Sequence, residues 1–307
     1  MERVAYRGWK NNLRLANREV ELIVTLDVGP RIVRFGRIGG PNLFAEMKPQ
    51  MGGTGEKEWM IRGGHRLWLA PEAKPQTYEL DNEPVRVQAI PGGARVIQPR
   101  GVLTGVRRSM DIRLDPRRNR VQVVHHLKHE GRRTLRCAPW ALTVMARNGQ
   151  LVIPLPGKIP HTDRLTHNQE WSIWGYTDFS DPRWTLGSKY VFFRQDPKRG
   201  PNKLGVAHRE GWVAYQVGSD CFVKWFNWKA GAAYPDGGVN FETFSNQDFL
   251  EIESLGALVD LAPGRTITHS EVWDLVTPMK AWKSATDVDR NLLPVIRRAK
   301  PAIARWL

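Results

Sequence analysis

Apolar and polar residues alternate along most of the first 280 positions. Val20, Leu22, Val24 and Leu26 alternate with Glu21, Ile23, Thr25 and Asp27, and Gly29-Pro30 then turns the chain into a second run, Arg31 to Phe35. Pro91-Gly92-Gly93 joins Val85 to Ile90 with Ala94 to Gln98, and the turn Asp115 to Asn119 joins Arg107 to Leu114 with Arg120 to His129. Further strand-like runs are Ala141 to Ala146, Gln150 to Pro154, Tyr190 to Arg194, Gly211 to Val217, Cys221 to Trp228, Phe249 to Ser254 and Arg265 to Leu275, parted by Gly, Pro, Asn and Asp clusters. Short strands at this spacing, with no amphipathic helical period between them, predict an all-β fold, a large sandwich or barrel. Near the end the period changes. Leu292, Leu293, Val295, Ile296, Ala299, Ile303 and Leu307 recur at spacings of three and four, which predicts helix, and Pro294 and Pro301 should hold it to short pieces packed on the domain edge. No linker or internal repeat divides the chain, so residues 1–307 read as one domain with 280–307 as a helical C-terminal extension.

Composition narrows the class. With 41% hydrophobic residues in 307, the chain can bury a sizeable core, and disorder, collagen and a disulfide scaffold are excluded. Met1 to Asn12 lacks the apolar stretch of a signal peptide and no run approaches a membrane span, so a cytoplasmic protein without membrane contact is expected. Cys137 and Cys221 then read as buried thiols. The 46 Lys plus Arg outnumber 31 Asp plus Glu, a formal charge of +15. Doublets at Arg107-Arg108, Arg117-Arg118, Arg132-Arg133 and Arg297-Arg298 could track a polyanion, but acidic residues lie among them and no Lys/Arg run of five occurs, which argues against nucleic acid.

Two segments concentrate side chains with chemistry. Ile61 to Glu72 joins Gly63-Gly64 to His65, Arg66 and Trp68: His can exchange protons near neutrality, Arg forms forked hydrogen bonds and Trp stacks on apolar ring faces. On an extended strand His65 and Arg66 point to opposite faces, and a structural role for this segment stays open. In the late strand, Leu250 and Ile252 share one face, with Phe249, Glu251 and Glu253 on the other. Carboxylates two residues apart on a strand lie roughly 6 to 7 Å from each other, close enough to hold the same ligand or to raise one another's pKa, unless they merely line a solvated face. Trp140 belongs to a Trp-rich middle of the chain, where any single indole reads as core ahead of binding platform. Lys224 is a charge inside the apolar strand Phe222 to Phe226. Metal binding is not expected: His125 and His129 would stand about 13 Å apart on a strand, His126 opposes both, and the other histidines lack ligand spacing. No Rossmann, P-loop, Gly-x-Ser-x-Gly or catalytic-Cys motif appears, so no cofactor and no covalent hydrolysis are expected.

In order, Asp27 to Val33, Asn42-Leu43-Phe44, Gly63 to Trp68, Leu250 to Glu253 and Leu261-Ala262-Pro263-Gly264 resemble segments of the galactose mutarotase-like superfamily, which includes the aldose 1-epimerases. Within it, Gly63 to Trp68, Ala138 to Met145 and Ser180 to Arg183 are similar to segments of a bacterial family of unassigned function. The resemblance spans nearly the whole chain. It implies a β-supersandwich with a sugar groove on its concave face, and by analogy a Glu base and a His acid that open and reclose a pyranose ring. Glu251 is similar to the epimerase base and His65 to an early sugar-binding His. Where the epimerases carry their catalytic His, this chain has Trp140 to Val144, and an indole cannot deliver a proton to a ring oxygen. The acid would then come from His65, Lys224 or another group.

The expectation is thus a carbohydrate-binding protein, with carbohydrate modification open: Glu251 and His65 as the chemical pair, Arg66, Trp68, Trp140, Lys224 and Glu253 around a sugar or sugar derivative, anionic ones included. An aldose 1-epimerase with Glu251 as base is the first alternative, and a non-catalytic polyanion-binding module the second.

Overall fold

The computed structural model describes residues 1–307, and its strands form two large antiparallel sheets packed face to face. The first runs, in spatial order, Glu2–Tyr6, Trp9–Ala16, Val20–Thr25, Arg31–Arg37, Gly64–Ala70, Leu135–Met145, Leu250–Leu255, Phe241–Ser245, Asn202–Val206 and Trp171–Ser172, with Val259–Leu261 alongside Leu135–Met145. The second runs Trp184–Leu186, Tyr190–Arg194, Gln150–Pro154, Trp212–Val217, Asp220–Phe226, Thr266–Val276, Arg120–His129, Val106–Leu114, Gly93–Ile97 and Arg86–Ile90. All three hairpins read from the sequence are antiparallel neighbours here.

Alternation explains the packing. Val20, Leu22, Val24, Leu67, Leu69, Leu250 and Ile252 from the first sheet meet Val121, Val123, Val213, Phe222 and Trp273 from the second in one inter-sheet core. At about 25 cal/mol per Å² of apolar area removed from water, this layer is the main favourable term in the fold. The opposite positions of the first sheet face outward, and there the candidate site lies.

Two details depart from the sequence reading. Leu135–Met145 runs six residues N-terminal to the expected start and includes Pro139. Trp140 to Met145 pair with Leu250–Leu255 while Leu135 to Cys137 pair with Val259–Leu261, so Pro139 falls where the partner changes and its missing N–H breaks no ladder on that side. The C-terminal helix Leu293–Ile303 also continues through Pro301. Pro294 directly follows a π-helical turn, Val288–Leu292, so it sits where the hydrogen-bond pattern changes, and Pro301 falls in the last turn. Ile296 and Ile303 anchor this helix on Trp212, Val223, Trp225 and Val272, the outer face of the second sheet.

Candidate functional site

A groove of about 320 Å³ opens on the outer face of the first sheet, its lining including Arg66, Trp68, Trp140, Lys203, Glu251 and Glu253. Trp59, Tyr78, Tyr176, Phe244 and Phe249 complete its aromatic walls. The floor follows from pleat and register. Trp140 stands opposite Trp68 on one side and Leu255 on the other, while Glu253 stands opposite Leu142 and Glu242, so outward side chains from four adjacent strands converge. Gly64 makes the approach close: at φ +71° a Cβ there would stand 2.3 Å from the carbonyl oxygen of Ile32.

The aromatic groups are already organised around cations. The Arg66 guanidinium lies 4.3 Å from the Trp68 ring and 5.2 Å from Trp59, and Lys203 Nζ lies 4.4 Å from Trp174 and 5.0 Å from Trp140. Arg66 Nη1 reaches Glu251 Oε1 at 2.9 Å, and Lys203 Nζ reaches Glu242 Oε2 at 2.6 Å and Glu253 Oε2 at 3.8 Å. Trp140 Nε1 donates to Glu253 Oε2 at 2.9 Å. These ion pairs are close but poorly aligned. Arg66 Nε and Nη1, Glu251 Oε1 and Glu253 Oε1 are buried and make no directed hydrogen bond. Such groups cost free energy unless something pairs with them, and a polyhydroxylated ligand in the groove would do so.

Charge within the site is unevenly compensated. Burial pushes the Glu253 carboxyl up to about 7; Lys203 opposes that rise and Glu251 adds to it. Burial also holds Glu242 well above the carboxylate range, against Lys203 and with Glu253. Lys203 is disfavoured by burial yet held above its usual value by Glu253 and Glu242.

His65 and Lys224, assigned from the sequence to the groove, lie on the other side of the sheet. Arg66 and Trp68 point outward, so His65 points inward, and Lys224 shares the inward face of its strand with Phe222 and Phe226; both are fully buried between the sheets. There they join a continuous network. His65 Nε2 is 2.7 Å from His125 Nε2 and His65 Nδ1 is 2.8 Å from Thr143 Oγ1. Because the His125 Nδ1–H donates to the carbonyl of His269, neutral His125 accepts at Nε2 from His65, which in turn accepts from Thr143. Lys224 Nζ donates to Glu271 Oε1 at 2.7 Å and to the Ile252 carbonyl at 2.9 Å, while Ser254 and Trp273 also donate to Glu271. His65, His125 and Glu271 converge closely enough to suggest a metal centre. Their lone pairs and protons are, however, already matched to one another, and the cation beside Glu271 is Lys224. Burial lowers His65 well below its usual value and brings His125 and His269 to about 3, so all three are neutral.

Of the basic doublets, Arg107-Arg108 is compensated within the fold. Arg107 pairs with Glu130 and its neighbour Arg108 is buried against Glu79. Cys137 and Cys221 are free, buried thiols. No helix is long and apolar enough to cross a membrane.

Sequence reasoning missed Lys203 and Glu242, and with them Trp59, Tyr78 and Tyr176. Glu242 carried a weaker form of the Lys224 signal, a charge between Phe241 and Phe244, but nothing local tells which face of a sheet such a charge will occupy.

No family model matches the chain, and no curated protein sequence matches it. Solved structures do. A galactose mutarotase-like protein from Lactobacillus casei superposes with a TM-score of 0.58 at 8% identity, over 87% of this chain and 100% of that one. A galactose mutarotase related enzyme from Lactobacillus acidophilus gives 0.52 at 10% identity, over 89% and 100%. A TPR-domain containing protein from Parabacteroides distasonis gives 0.56 at 13% identity, over 89% of this chain and 49% of that one. Identities this low speak for the fold.

Proposed function

For this chain, a galactose mutarotase-like β-sandwich, we propose carbohydrate binding in the outer groove of the first sheet. The sugar packs its apolar ring face against the aromatic walls, where Trp59, Tyr78, Tyr176 and Phe244 keep accessible surface beside the buried Trp68 and Trp140, and Glu251, Glu253, Arg66 and Lys203 take its hydroxyls. The observation that carries this reading is the meeting, in one hollow, of indole faces with buried carboxylate and guanidinium atoms that lack directed partners. Tryptophan-fluorescence titration with neutral hexoses, hexose phosphates and uronic acids tests it. At least one sugar should give a saturable change that Arg66→Ala weakens ten-fold or more; no saturable response to any of them overturns the reading.

A second reading is an aldose 1-epimerase with Glu251 as base. It is favoured by the second carboxyl, Glu253, which shares the outward face of the same strand and stands near half-protonation at neutral pH. Polarimetry on freshly dissolved sugar should then show faster anomer exchange, lost in Glu251→Gln. Binding without faster exchange would leave the binding role alone.

A further inference from the structure

We propose that Glu253 is the proton-transferring carboxyl of the groove, with Lys203 and Glu242 as the positioning residues that keep a proton available there. The inference rests on the groove being a sugar site.

The argument begins with register. Glu242 and Glu253 are direct partners across the antiparallel pair Phe241–Ser245 and Leu250–Leu255. Side chains so placed have Cβ atoms roughly 4.5 to 5.5 Å apart. Both are buried, at 0% and 1% exposure, so neither is screened by water. One ammonium serves the two: Lys203 Nζ is 2.6 Å from Glu242 and 3.8 Å from Glu253. Two buried carboxylates facing one cation carry an uncompensated negative charge, and the low dielectric favours retaining one proton on the pair. The oxygens are not equivalent. Glu253 lines the groove and Glu242 does not; Trp140 Nε1 occupies Glu253 Oε2, while Glu253 Oε1 and both Glu242 oxygens make no directed hydrogen bond. Of the pair only Glu253 lines the groove, so a proton held there meets a ligand at Glu253.

On a cyclic aldose the step balances. Protonated Glu253 gives its proton to the ring oxygen while the Glu251 carboxylate takes the proton of the anomeric hydroxyl. The bond from the anomeric carbon to the ring oxygen breaks, its electron pair staying on that oxygen, and the anomeric C–O becomes a carbonyl. Rotation about the adjacent carbon–carbon bond and the reverse transfers close the ring on the other face and restore both carboxyls. Burial, with Lys203 opposing it and Glu251 adding to it, holds Glu253 at about 7, where donor and acceptor forms are both populated.

Carboxyl-¹³C NMR of glutamate-labelled full-length protein tests the pair without any sugar. One carboxyl, assigned by its loss in Glu253→Gln, should titrate about two pH units above ordinary glutamates. Glu242→Gln should lower that value by at least one unit, since Lys203, held in the parent by Glu242, is left to Glu253, while Lys203→Met should raise it by as much. Should Lys203→Met fail to fold, the Glu242→Gln shift carries the test. An ordinary titration of Glu253, or a value unmoved by Glu242→Gln, overturns the proposal. With a sugar that binds, Glu253→Gln should retain binding and slow exchange at least ten-fold. Binding with exchange unaffected sinks the transfer role but spares the sugar site; no binding by any sugar, with the titration as described, sinks the sugar reading and the transfer with it.

Discussion

Glu271→Gln should cost about 3 to 5 kcal/mol of stability, although the residue touches no surface and no groove. Glu271 is fully buried and accepts from Lys224 at 2.7 Å, Ser254 at 2.5 Å and Trp273 at 2.8 Å. Glutamine keeps the shape and one carbonyl acceptor but removes the charge, so the Lys224 ammonium would face only neutral acceptors, the glutamine and Ile252 carbonyls. Breaking one partner of a buried pair strands the other, and that desolvated charge is the source of the magnitude. Lys224→Met strands Glu271 in the same way and should cost a similar amount. The double variant Lys224→Met/Glu271→Gln strands neither charge: the amide carbonyl still accepts a hydrogen bond and the Met stem replaces the Lys methylenes. It should cost less than the two singles summed, by about 2 kcal/mol or more. Urea unfolding at pH 7, followed by tryptophan fluorescence, gives all four corners of the cycle. Singles within about 1 kcal/mol of the parent, or a double equal to their sum, would refute the reasoning.

The other predictions are briefer. Burial holds His125, His208 and His269 at about 3, below the unfolded value near 6.5, so the unfolded chain binds more protons across that window. The stability these residues lend is complete above about pH 6.5 and lost as pH falls towards 3, on the order of 4 kcal/mol each; urea midpoints that do not fall between pH 7 and pH 4 would contradict it. Zinc supplementation and chelation should leave the thermal midpoint unchanged, because Lys224 and internal hydrogen bonds already satisfy the His65–His125–Glu271 cluster; a midpoint raised by zinc would show a metal centre instead. Gly64→Ala should destabilise by about 2 kcal/mol or more, since a Cβ would meet the Ile32 carbonyl at 2.3 Å in a left-handed conformation, and a parent-like midpoint would disprove the clash. Ile296→Ala should cost roughly 2 to 4 kcal/mol in the same assay if the C-terminal helix is integral to the second sheet, whereas a cost under about 0.5 kcal/mol would make it a loose appendage.

Sheet content and hairpins were legible in the chain because period-two alternation and Gly/Pro turns are local signals. Val20 to Phe35 and Val85 to Gln98 show both at once. The face on which Glu251 and Glu253 project was legible for the same reason. Which sheet surface faces the partner sheet was not, since that depends on how distant strands assemble. His65 and Arg66 alternate as any strand residues do, but only packing against His125 and Glu271 makes His65 the inner one. Lys203 and Glu242 become neighbours of Glu253 through pairing of strands that local sequence cannot pair. The edge strands Glu2–Tyr6 and Trp171–Ser172 were missed because little apolar burial marks them.

The most direct test of the account is saturation-transfer NMR at pH 7 with an equimolar mixture of neutral hexoses, hexose phosphates and uronic acids, comparing the parent chain with Arg66→Ala and Glu253→Gln. The account predicts selective transfer to the ring protons of at least one sugar from the parent, competed by that sugar in excess and reduced at least ten-fold in Arg66→Ala. Transfer to none of the sugars, or transfer that survives Arg66→Ala unchanged, would contradict the assignment of this groove as a carbohydrate site.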